Sequence, residues 1–169
     1  MNLTVAASYG WCVDGVSVTR VIPAPLAEVW RVFADPAARS RFCDVCDVEE
    51  LTDFAPGELS PGTRWRETRT TATGDTITEE LVILAVEPER FCTVALAGAT
   101  ASGQLTYRFQ PVRDGAATVV TINTQKHRYG FANRLLGFIV GGFAARTAEG
   151  ALRAQLDVLA EGCRAGAGA

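Results

Sequence analysis

The amino-acid sequence predicts an α+β domain: a curved antiparallel sheet of six or seven strands closed by one long C-terminal helix. Three observations carry that expectation. Successive segments between residues 44 and 125 are rich in β-branched residues, alternate with a period of two and are parted by short turns, which makes neighbouring strands antiparallel. The stretch from about Phe131 to Cys163 repeats instead at helical spacing. Helices therefore sit at the ends of the chain rather than alternating with strands, the α+β arrangement.

The elements follow in order. Val16 to Pro23 is a β-branched run stopped by proline, and Pro25 occupies the place of a first helical residue. Leu26, Val29, Trp30, Val32 and Phe33 form a helical apolar stripe, and Asp35-Pro36 ends that helix and caps a second short one running to about Phe42. Strands are expected over Asp44–Phe54, Thr63–Thr71, Thr76–Val86, Phe91–Ala97, Gln104–Pro111 and Thr118–Gln125. Turns fall at Ser60-Pro61-Gly62, Thr73-Gly74-Asp75, Glu87-Pro88-Glu89 and Asp114-Gly115. Leu135, Ile139, Gly142, Ala145, Glu149, Leu152, Leu156, Leu159 and Cys163 make the stripe of the last helix, whose 33 residues would span roughly 50 Å. Within the 169 residues, 1–15 read as an N-terminal arm, 16–165 as one ligand-binding domain and 166–169 as a tail.

Composition narrows the function. A net charge of −3 gives no basic footprint for nucleic acid, and no polybasic run suits a membrane surface. Met1 to Tyr9 has no lysine, arginine or signal-length apolar run, and Leu135–Ala145 is shorter than the approximately 20 residues a membrane span needs. The expectation is a soluble, cytoplasmic protein. One histidine makes a histidine-based metal site a poor fit, and neither a metal nor another cofactor is expected. Five scattered cysteines suit a reducing compartment; Cys43-x-x-Cys46 has redox or zinc spacing, yet it opens a strand and no second pair follows, so it reads as structural.

Several segments in their order resemble the START-like, helix-grip superfamily and its polyketide cyclase/dehydrase-like branch. They are Val18-Thr19-Arg20-Val21-Ile22-Pro23-Ala24-Pro25 leading to Glu28-Val29-Trp30, then Phe33-Ala34-Asp35-Pro36, Pro61-Gly62-Thr63-Arg64-Trp65, Val86-Glu87-Pro88-Glu89-Arg90-Phe91 and Ala117-Thr118-Val119-Val120-Thr121. The resemblance covers about residues 16–163. It implies a helix-grip fold with an apolar cavity between sheet and helix; members include aromatase/cyclases, lipid carriers and hormone receptors, so the fold does not choose a reaction. Gly137, Gly141, Gly142 and Gly150 in the last helix fit either space for a ligand or close helix–sheet packing.

The residues that can carry chemistry come from alternation. If Trp65 faces inward, so do Glu67 and Arg69, and charges are seldom buried without a partner. A three-residue loop would pair Arg69 with Glu79, a two-residue loop with Glu80; Glu79 is favoured because Ile77, Leu81 and Ile83 share its face. A desolvated carboxylate suits proton transfer, whereas a solvated cross-strand ion pair would contribute little. Tyr107, with Leu105 and Phe109 on its face, can offer its hydroxyl to a ligand or simply pack in the core. Glu67, Arg69, Glu79 and Tyr107 are thus the candidate catalytic residues. Trp65, Leu81, Leu105, Phe109, Ile122, Thr124, Phe138 and Gly142 are the candidate ligand-binding residues. His127 sits before the last helix as a candidate at the cavity mouth or a plain loop residue. Two functions remain open: a cofactor-independent enzyme that cyclises, dehydrates or isomerises a polyketide-like or other hydrophobic metabolite, and a non-catalytic carrier of a lipid or apolar metabolite.

Overall fold

The computed structural model describes residues 15–36, 41, 46–70, 76–98, 102–125 and 141–166. Seven strands form one curved antiparallel sheet: β1 (Ser17–Ile22), β2 (Cys46–Glu50), β3 (Arg64–Thr70), β4 (Thr76–Glu87), β5 (Phe91–Gly98), β6 (Ser102–Val112) and β7 (Ala117–Gln125). Their spatial order is β1-β7-β6-β5-β4-β3-β2, so β2 to β7 meander as hairpin neighbours while β1 crosses over to close the far edge on β7. Two helices are described, α1 (Leu26–Phe33) and α2 (Gly141–Gly166).

Local chemistry accounts for the joints. Pro25 stands one position before its expected place, as the N-cap of α1, where its carbonyl accepts from the Glu28 and Val29 amides. Gly62, at φ 94°, donates its amide to the Ile83 carbonyl and turns the chain into β3. Strand β2 stops at Glu50 rather than at Phe54: Leu51 and Thr52 both donate to the Arg64 carbonyl, and the Thr52 hydroxyl accepts from the Arg64 amide, so the chain leaves the ladder there. A register shift between Ile83 and Ala85 bends β4.

The core lies between the inner face of the sheet and the helices. Alternate residues of each strand point inward: Val18 and Ile22, Trp65, Leu81 and Ile83, Val94 and Leu96, Leu105, Tyr107 and Phe109, Val120 and Ile122. Helix α2, 26 residues and about 39 Å long, packs on β1 and α1 through Leu152, Leu156, Leu159, Ala160 and Cys163. Arg20 on β1 pairs with Asp157 of that helix. The expected N-terminal arm through residue 14, the short helix to Phe42, the Thr73-Gly74-Asp75 turn, the helix start at Phe131, and the residues Cys43, His127, Leu135, Gly137, Phe138 and Ile139 lie outside the described residues. No described helix is long and apolar enough to cross a membrane.

Candidate functional site

Strands β3 and β4 build a polar wall into an otherwise apolar inner face. Trp65 and Glu67 sit two residues apart on β3, and both are buried, at 1% and 7% exposure. The Trp65 indole Nε1–H donates to Glu67 Oε1 at 2.9 Å. Directly opposite Glu67 in the register is Glu79 of β4, 3% exposed. Side chains on facing positions of an antiparallel pair are neighbours, so the two carboxyl groups share one patch of wall. Val48 of β2 flanks the pair on one side and Gly98 of β5, which has no side chain, on the other. Trp65, Leu81 and Leu96 form the adjacent apolar row.

The register corrects one sequence expectation. Arg69 lies opposite Ile77, and neither Glu79 nor Glu80 is its cross-strand partner. Thr70 pairs with Thr76, which leaves five residues in the connection instead of two or three. Relative to the three-residue alternative the ladder is displaced by two, and a two-residue displacement keeps every side chain on its face. Glu79 therefore points inward while Glu80 bonds Arg64 on the opposite face.

Farther round the sheet, on β6 and β7, Leu105, Tyr107, Phe109 and Ile122 are buried on the same inner face. Tyr107 and Phe109 join Trp30 and Phe33 of α1 in an aromatic cluster, with ring centroids 4.9 to 5.4 Å apart. The Tyr107 hydroxyl donates to Gln155 Oε1 of α2 at 2.6 Å, tying sheet to helix. Sequence reasoning missed Gln155; its signal was a polar residue between Leu152, Leu156 and Leu159 in the buried stripe. The Thr124 hydroxyl accepts from the Val16 amide at 3.1 Å and lies 3.3 Å from the Val16 carbonyl, so its polar contacts secure the entry to β1. Gly142 falls in the first turn of α2.

The remaining electrostatics lie away from the wall. Glu28 and Arg31 bond at 2.7 Å on α1, which lowers the Glu28 carboxyl below its ordinary range, chiefly through that hydrogen bond. Cys163, beneath them, has its thiol pushed up to about 11 by burial first and by the Glu28 charge second. Both it and Cys92 are buried. Among the described residues no group of three or more histidine, cysteine, aspartate or glutamate side chains could hold a metal ion.

Solved structures share this architecture. A protein from Thermus thermophilus is 19% identical over 90% of this chain and 99% of its own, with a TM-score of 0.66. The Zhui aromatase/cyclase of a Streptomyces species is 18% identical over 89% and 93%, with a TM-score of 0.61. A protein in the dynemicin biosynthetic locus is 20% identical over 90% of this chain and 46% of its own, at 0.56. At such identities the likeness establishes the fold. No curated protein sequence matches the chain. The family described as polyketide cyclase / dehydrase and lipid transport matches residues 14–163, nearly the whole of the sheet and helix laid out above, and the chain belongs to that family.

Proposed function

We propose that this protein binds a hydrophobic, polyketide-like small molecule between the sheet and α2, and promotes its cyclisation, dehydration or isomerisation by proton transfer at Glu67 and Glu79. The observation that carries the reading is the facing register of two buried glutamates on an apolar wall. Burying carboxyl groups is costly, and a fold that keeps two side by side has a use for them. Enolisation next to a carbonyl needs a base at the carbon and an acid at the oxygen, and a carboxyl pair supplies both. Arg69 belongs to the same proposed group by its position on β3; Tyr107, held by Gln155, is proposed to meet the ligand from β6, level with Cys92 and Val86 and farther along the sheet from the pair.

The test starts from native mass spectrometry of the purified protein, which identifies the bound small molecule. With that molecule as substrate, Glu67→Gln and Glu79→Gln each lower turnover by about two orders of magnitude or more while circular dichroism stays native. The carrier reading is favoured by a separate observation: the Trp65 and Tyr107 donors are both engaged within the protein. Under that reading neither wild type nor variants turn the molecule over, and only affinity changes.

A further inference from the structure

Helix α2 is held to one side of the sheet. Among the described residues its close backbone approaches are to β1 and α1. Successive residues of a helix point about 100° apart. The two neighbours of Leu156, itself 2% exposed, therefore leave the buried stripe on opposite flanks. Asp157 on one flank pairs with Arg20 of β1. Gln155 on the other flank accepts from the Tyr107 hydroxyl of β6 at 2.6 Å. In the sheet β6 stands between β7 and β5, so Gln155 lies on the flank turned toward β5, β4 and β3, where the two glutamates are. A side-chain bridge of this length leaves no passage between helix and sheet at that point. Toward α1, Phe33 stands 4.9 Å from the Tyr107 ring, and Trp30 and Phe109 pack on Phe33. In the other direction the inner side chains of β6 shrink from Tyr107 to Leu105 to Gly103.

We propose that Gln155 is a specificity-determining residue: bridged to Tyr107, it ends the ligand space between the sheet and α2 and so sets the longest ligand the protein takes. This rests on the binding reading above. The glutamates mark the other limit. Gly98 of β5 stands opposite Glu79, and Cys92, six residues earlier on the same strand, stands opposite Tyr107. At about 3.3 Å per residue the two positions are about 20 Å apart along the strand. A ligand with its polar group at Glu67 and Glu79 has that length, less the thickness of the bridge, for its apolar body. The ligand class that fits is elongated, an extended chain or a linear run of fused rings, with an oxygen at one end and a far end that meets Tyr107 and Gln155. A longer body can be seated only by parting the bridge.

The experiment is a calorimetric titration with 4-propylphenol, 4-pentylphenol, 4-heptylphenol, 4-nonylphenol and 4-dodecylphenol, which keep one phenol head and lengthen the tail. In wild type, affinity rises about fourfold for each added methylene until the tail reaches the bridge, and falls for longer members. Gln155→Ala puts a good helix former in place and removes the bridge. Its break moves to a longer tail, the first member past the wild-type break gains about tenfold, and 4-propylphenol is unchanged. Gln155→Met loses the same hydrogen bond but keeps a side chain of similar length, and its break stays at the wild-type position. A break at the same tail length in wild type and Gln155→Ala overturns the gauge. So does a break that moves equally in Gln155→Met, because the effect then belongs to a loosened α2. Failure of the binding reading itself looks different: no member of the series binds wild type saturably, and both the reading and the gauge fall.

Discussion

On the β1–β7–β6 side of the inner face, Trp30, Phe33, Tyr107 and Phe109 stack on one another and helix α2 lies against β1 and α1. On the β4–β3 side, an indole holds one carboxylate and a second carboxyl group faces it across the strand pair. Both walls are buried by the same fold, yet only the first is built for packing alone. Rings at these separations gain from dispersion and edge-to-face contact in addition to area burial. The glutamates gain nothing from burial and must be held there by hydrogen bonds and neighbours. On the proposed reading, stability falls mainly to one side of the sheet and chemistry to the other.

The largest effect should come from the aromatic side. Phe33 is buried and touches three other rings, so Phe33→Ala is expected to cost about 3–5 kcal/mol in denaturant unfolding. A loss no greater than that of Glu79→Gln would erase the distinction between the two sides. Next in size is the kinetic effect on the polar side: Glu67→Gln and Glu79→Gln should each remove about two orders of magnitude of turnover.

How far the sequence foretold this division depends on the range of each interaction. The strands and the inward face of Glu67 and Glu79 were legible, because alternation is local and has a period of two. The pairing of Glu67 with Glu79 was not. It depends on the length of the connection after Thr70, and the Thr73-Gly74-Asp75 signal pointed to a shorter loop than the five residues the register requires. The face survived that error only because the displacement was an even number. The Tyr107–Gln155 bond joins residues 48 apart in sequence and depends on how α2 is rotated over the sheet, which helical periodicity alone does not fix. The bond between the Val16 amide and the Thr124 hydroxyl likewise joins residues 108 apart, and alternation within one strand does not reveal it.

A smaller effect sharpens the boundary between the two sides. Tyr107→Phe removes one sheet-to-helix hydrogen bond and should cost about 1 kcal/mol, with a double-mutant cycle against Gln155→Ala returning most of that value as coupling. Additive single effects would mean that the bond contributes nothing. The smallest is a pH effect at Cys163, beneath α1. Its folded thiol lies at about 11 against an ordinary 9.0. Below 9.0 the thiol is neutral in both states. Between 9.0 and about 11 the unfolded thiol loses its proton while the folded one keeps it, so stability falls as pH rises across that window. Unfolding curves should show a shallower fall in Cys163→Ala, and an identical slope in both proteins would contradict the assignment.

The most direct test of the whole account is a titration with 2-naphthol, a fused-ring phenol that offers both an apolar body and a hydroxyl, followed on the indole Nε1–H resonances. Trp65 stands at the polar wall and Trp30 within the aromatic cluster, so the two report the two sides separately. The account predicts a saturable shift of the Trp65 resonance, with Trp30 moving less, and loss of that shift in Glu67→Gln combined with Glu79→Gln. A saturable shift confined to Trp30, or none at Trp65, would contradict the claim that this wall receives the ligand.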